Sequence, residues 1–371
     1  MSAITLGPAT NVLVTGVTGL IGGEIIRKLR SLRTGTLYAL VRPQAEANAV
    51  TRFTERMRRS GDDPWVSAAD VEVVAGDVRR PRWDLEDEDF RRLTRSVDLI
   101  IHCAADTGFL RGQSVHETNV GGARTLIDFA RRCERNPLIV YMSTASNGGK
   151  VSHRCLAEED GCKPDNEHHN EYTRSKALAE AMLRDSGLPV LRLRPSIVLS
   201  AGLPDPAFAQ SMLWFVSLLQ AFDCLPIDPA SRLDVVPVSF VVDATVALLR
   251  RPRRAYDCYH LSAGERAAIT NAELNEFVGR YYRRPAPLRL LLPSQWTRQH
   301  YERYVRTDEQ RKIFFGLSCY LPFLNMDVVY DNRRLREELG EALPVPPLTN
   351  YLGELLDRIQ WQAALEEAAR P

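Results

Sequence analysis

Residues 12–26 read VLVTGVTGLIGGEII: a short β-branched run breaks into glycines at 16, 19 and 22, then continues as an apolar stretch with helical spacing. Few folds accommodate this. Gly16 permits a tight turn after a strand, Gly19 lets the backbone approach a bound group, and Gly22 lets the following helix pack close to the strand. The helix start offers free N–H groups and the positive end of a dipole, which suit a pyrophosphate. With Thr18, Leu20 and Ile21 filling the positions beside the glycines, the turn is expected to bind a dinucleotide.

The rest of the first half keeps the pattern. Strand-like runs at 36–41, 71–75, 97–103, 137–143 and 189–194 alternate with helix-like segments around 20–33, 45–59, 113–134 and 171–185. Such alternation predicts an α/β fold with a doubly wound parallel sheet of Rossmann type. Residues 233–249 and 256–264 read as a return to that sheet. A strongly apolar helix is expected at 207–222, and the chain beyond 266 is helical and aromatic. The expected division is an NAD(P)-binding domain of 1–195 plus 233–265, and a smaller, mostly helical substrate lobe of 196–232 plus 266–371. The charged run 79–95 reads as a solvated connection and helix.

Composition removes several classes. With 44% hydrophobic and 26% charged residues and a net charge of +1, the chain reads as soluble and globular, without the basic footprint of a nucleic-acid binder. No run approaches the ~18 apolar residues of a membrane span, and no signal peptide is apparent. Seven scattered cysteines suit reduced thiols in a cytoplasmic protein. His153, Cys155, Cys162, His168 and His169 crowd one loop, but cysteines seven apart and adjacent histidines lack zinc spacing. No metal is expected there; the loop is expected to line a substrate entrance.

The chain has only five lysines against 43 arginines, and one of them, Lys176, stands four residues after Tyr172. That spacing puts phenol and ammonium on one helical face. A phenol has a pKa near 10, and a neighbouring ammonium favours its ionised form. Arg42 occupies the place about 20 residues past the glycines where an NAD site carries an acid. A guanidinium there suits a 2′-phosphate, with Arg52 near enough to assist. NADP(H) is therefore favoured, and NAD(H) stays open. Asp77 is placed to accept from an adenine amino group or to cap its turn.

Taken in chain order, TGVTGLIGG, GDV at 76–78, HCAA at 102–105, NVGGART at 119–125, MSTAS at 142–146, the Tyr172–Lys176 pair and RPSIV at 194–198 resemble an extended short-chain dehydrogenase/reductase of the epimerase/dehydratase superfamily. The likeness covers about the first 200 residues. LVRP, HCAADTGF and RPSIV are similar to its thioester-reductase and fatty-acyl-reductase branch, the male-sterility type. The resemblance implies Tyr172 as general acid/base and Lys176 as its partner, which also holds the nicotinamide ribose. Thr144 would bond the substrate carbonyl, with Ser143 and Ser146 as fallbacks. Asn119 would support a relay water or cap a helix start. Val78, Ala104 and Pro195 join the cofactor contacts.

The activity this implies is NAD(P)H-dependent hydride transfer to or from a carbonyl or secondary alcohol of a small hydrophobic metabolite. The alternative is reduction of an acyl thioester, the only reading that calls for a carrier-protein partner. A nucleotide-sugar epimerase or dehydratase weighs less, because Thr144 is followed by Ala145–Ser146 and not by Asp-Glu. A cofactor sensor without chemistry weighs less because the Tyr/Lys pair is kept. A homodimer stays open.

Overall fold

The β-branched runs become the strands of one seven-stranded parallel sheet: β1 (Val12–Thr15), β2 (Leu37–Val41), β3 (Glu72–Ala75), β4 (Leu99–His102), β5 (Leu138–Met142), β6 (Val190–Pro195) and β7 (Cys258–Leu261). Their order is β7-β6-β5-β4-β1-β2-β3, with Val12 of β1 in register with Leu37 on one side and Leu99 on the other. This is a doubly wound Rossmann-type sheet, as the alternation predicts. The computed structural model describes residues 4–32, 34–45, 47–59, 71–109, 112–200, 216, 219–340 and 343–358.

Parallel strands must be covered on both faces. On one face lie α1 (Leu20–Ser31), α2 (Ala49–Arg59) and α7 (Val238–Leu249), whose Ile25, Ile26, Leu29, Phe53, Val241 and Leu248 share a core with Val12 and Val14. The other face carries α3 (Asp87–Ser96), α5 (Gly122–Ala130) and α6 (Glu171–Arg184), which pack Phe90, Leu126, Phe129 and Leu183 against Leu13 and Ile139. A short α4 (Gly112–His116) runs into α5 through a π turn, Glu117–Gly121.

Two sequence expectations change here. Of the two stretches expected to rejoin the sheet, only the second does. Val235–Pro237 pairs with Ile197–Leu199 in a two-stranded ladder of its own, and the residues after it form α7. A continuous apolar run does not distinguish buried strand from buried helix, and α7 is buried on most of its circumference. The charged connection 79–95 is not all solvated. Trp83 within it is fully buried, stacked on Phe129 with ring centroids 4.1 Å apart, and donates its indole N–H to Thr125 Oγ1 at 3.2 Å.

A separate apolar cluster joins Leu199, Phe222 and Leu225 to Leu274, Val278, Leu317 and Leu352. Most of the apolar helix expected at 207–222 lies outside the described residues. A smaller cluster of Ala145, Leu156, Phe323, Val328 and Tyr330 sits against the end of β5.

Candidate active site

The strand order reverses between β1 and β4, so a crevice opens past their carboxyl ends. Gly16 turns the chain there with φ +72°. A Cβ on it would lie 2.4 Å from the Ala104 nitrogen and 2.6 Å from the Cys103 carbonyl carbon, while one on Gly22 would lie 2.4 Å from Gly16 O. Both positions exclude any side chain. Ala104 N–H donates to Thr15 Oγ1 (3.3 Å), which also shares a hydrogen bond with buried His102 (3.0 Å). Gly19 caps α1 without a side-chain hydrogen bond, and Thr18, Leu20 and Ile21 lie half-buried along the turn. A narrow turn with glycines at 16, 19 and 22, ending in a helix start that no side chain caps, fits a dinucleotide phosphate group.

One cation here is not evident in the sequence. Arg56 of α2 is buried under the turn, with its guanidinium 3.4 Å from both Gly19 O and Glu24 Oε1. Arg42 lies exposed just past β2, and its carbonyl accepts from the Arg52 guanidinium. Burial, and then the charge of Arg42, lower the pKa of Arg52. The two cations thus stand together just past β2. Asp77 is less open than expected. Its carboxylate takes Arg79 Nε (3.0 Å to each oxygen), a second guanidinium nitrogen (2.5 Å) and the Arg79 N–H (3.0 Å). Burial raises its pKa, but the bonds from Arg79 outweigh that and hold it low. Val78 beside it is buried.

Asn170 starts α6 by accepting the Thr173 N–H on Oδ1 (3.0 Å). Tyr172 and Lys176 follow on successive turns of one face. Lys176 is buried, donates to Met142 O (2.6 Å) and lies 4.4 Å from the centroid of the Tyr141 ring. Burial lowers its pKa to about 8, with Cys103 and Glu180 pulling the other way. The phenol of Tyr172 is hydrogen-bonded to Thr144. Burial pushes it up to about 12 against that bond. Burial therefore dominates the shift of the phenol, and the expected lowering by the lysine is not among its causes.

Of the three candidate hydroxyls after β5, Thr144 is the one that meets Tyr172. Ser143 donates to buried Glu180 (2.5 Å), and Ser146 pairs with the Tyr330 hydroxyl (2.8 Å). Asn119 lies in the π turn, so it caps no helix start. It bonds the Asp106 backbone at both ends (2.9 and 3.1 Å) and donates to Ser175 Oγ (2.9 Å), fastening the segment after β4 to α6. Pro195 is buried at the end of β6.

An aromatic wall stands over Tyr172. Phe109 lies 6.0 Å from its ring, 5.0 Å from Tyr320 and 5.3 Å from Phe323, and His169 lies 5.2 Å from Phe323. These residues come from three separate segments, so no local pattern announces them. The histidines and cysteines of the 153–169 loop go separate ways. His153 reaches Asp327 (3.4 Å), Cys162 Sγ donates to Ala177 O (3.5 Å), His168 bonds Thr173 and Lys163, and Cys155 is exposed.

A family model described as male sterility protein matches residues 14–245, well over half of the chain. This chain belongs to the male sterility protein family. Within the extended short-chain dehydrogenase/reductases it falls in the male-sterility-type branch, with an NAD(P)-binding domain. It is 27% identical over 294 residues to fatty acyl-CoA reductase 1 of Xenopus laevis, covering 67% of this chain and 57% of that protein. It is 29% identical over 272 residues to the isonitrile lipopeptide synthase of Mycobacterium tuberculosis, covering 64% of this chain and 11% of the synthase. This member of the male sterility family thus spans less than two thirds of either relative. Its fold matches the terminal R domain of the myxalamid PKS-NRPS pathway with a TM-score of 0.76 at 23% identity, over 99% of this chain and 95% of that one. Among the described residues no helix is long and apolar enough to cross a membrane.

Proposed function

We propose that this chain reduces acyl thioesters with NAD(P)H, the acyl group arriving on coenzyme A or on a carrier protein. The observation that carries the reading is the hydrogen-bonded pair of Thr144 and Tyr172 beneath an aromatic wall, at the crevice of a glycine-turn sheet. The sequence alone ranks a ketone or secondary alcohol first and a thioester second. The relatives, an acyl-CoA reductase and a lipopeptide synthase, support the reverse order.

Bound at the glycine turn, the dinucleotide would supply a hydride to the thioester carbonyl carbon. Gly16, Gly19 and Gly22 with the start of α1 would hold its phosphates, and Arg42 and Arg52 would favour NADPH. Thr144 and Tyr172 then hold the carbonyl oxygen. With its pKa near 12, the phenol keeps its proton at neutral pH and gives it to the oxygen as the carbon is reduced. The hemithioacetal so formed loses the thiol, leaving an aldehyde. Lys176, fixed on Met142 O, orients the nicotinamide ribose. Phe109, Tyr320 and Phe323 shelter the acyl carbon from water.

The test compares an acyl-CoA and an acylated carrier protein with a ketone of matched chain length. NADPH consumption and free thiol are both followed. Thioesters should turn over about tenfold faster or better, with one thiol released per aldehyde. Ketone reduction without thiol release would overturn the reading and restore the carbonyl-reductase one.

A further inference from the structure

Beneath the two hydroxyls lies an ion pair with almost no exposure. Glu180 is 0% and Arg194 1% exposed. Arg194 Nε lies 3.1 Å from each carboxylate oxygen, and a terminal guanidinium nitrogen lies 2.6 Å from Oε1. Arg194 spends another nitrogen on Glu158 O (2.6 Å). Desolvating two charges offsets most of what such a pair gains, so it is a poor source of stability by itself. What it can do is hold geometry.

The remaining capacity of Glu180 goes to the turn after β5. Its Oε2 accepts from Ser143 Oγ (2.5 Å) and Asn147 Nδ2 (2.6 Å). Those two residues bracket Thr144. Lys176, one turn earlier on α6, grips Met142 O just before them. The segment 142–147 is therefore pinned to α6 at three places, and α6 is the helix that carries Tyr172. We infer that Glu180, backed by Arg194, is a positioning residue that clamps Ser143 and Asn147 to α6 and so keeps the Thr144 hydroxyl opposite the Tyr172 phenol. This rests on Thr144 and Tyr172 as the reacting pair, not on whether the carbonyl is a thioester.

Glu180 acts on a second group. His102 and Cys103 face Lys176 from β4 and its end, Tyr141 from β5, and Glu180 from its own helix. Of these Glu180 is the carboxylate, and it helps keep the ammonium charged.

The experiment uses the full chain and whichever carbonyl substrate the wild type turns over, so failure of the thioester reading leaves it intact. Ser143→Ala removes one arm of the clamp without unpairing Arg194. It should melt close to the wild type, bind cofactor and substrate as before, and lose about ten- to a hundredfold in kcat, as small misplacements of reacting groups do. Glu180→Gln should lose at least as much, and its rate should decline at lower pH than that of the wild type. If Glu180→Gln does not fold, Ser143→Ala decides alone. Wild-type kcat in Ser143→Ala would overturn the proposal. So would a folded Glu180→Gln with an unchanged rate and pH profile.

Discussion

The proton in this site resides on Tyr172 and the charge on Lys176, and each can be moved separately. Tyr172→Phe keeps a ring against Phe109 and removes the donor. Turnover should fall by about 10²–10⁴ while cofactor titration gives an unchanged affinity. Near-native rates would mean that another group donates. Lys176 titrates near 8 because burial opposes its charge. The ammonium is therefore intact below that pH and is lost as pH rises through it. Plotted against pH, kcat/KM should be flat through neutrality and decline above about 8, whereas Tyr172, near 12, contributes nothing in that range. A profile flat to pH 10 would show that the ammonium charge is not needed. Arg42 can be tested by cofactor choice. A charge-assisted pair is worth roughly 1.5–3 kcal/mol, so NADPH should be preferred to NADH by about ten- to a hundredfold. Arg42→Asp should abolish or reverse that preference, measured as kcat/KM with each cofactor. Single residues were legible where their spacing is local: the glycines, and Tyr172 with Lys176. The environment of each was not, because burial and the Met142 carbonyl come from β5, far away in the chain.

At the level of elements, the glycine turn is the least tolerant part of the molecule. Gly22→Ala would put a methyl group 2.4 Å from Gly16 O, which forces α1 away from the end of β1. Overpacking of this kind costs about 1–3 kcal/mol. A lowered melting temperature together with weakened cofactor binding is the expected result, and an unshifted melting curve would show that α1 is free to slide. The seven strands of the sheet and the helices α1, α2, α5 and α6 were readable from alternation alone. Elements that depend on more than periodicity were not. The π turn holding Asn119 looks like ordinary helix in sequence, and α7 looks like strand. Trp83, set in a charged run, gave no sign of stacking on Phe129. The aromatic wall was equally hidden, since Phe109 and Phe323 meet only once the segment after β4 and the distant short helix Leu321–Asn325 are brought over α6.

For the molecule as a whole, the sheet is finished late. β7 bonds to β6 with Cys258 opposite Arg192 and Leu261 opposite Pro195, after the chain has left the sheet at Pro195 and built part of its second cluster. A parallel strand paired on one side only shows, along its other edge, a row of bare N–H and C=O groups that any extended segment can bind. Ribosomes add about 5–20 residues per second, so on the nascent chain β6 stays uncovered for several seconds while the roughly sixty residues up to β7 are made. Until β7 is added, the outer edge of β6 is therefore open to neighbouring chains.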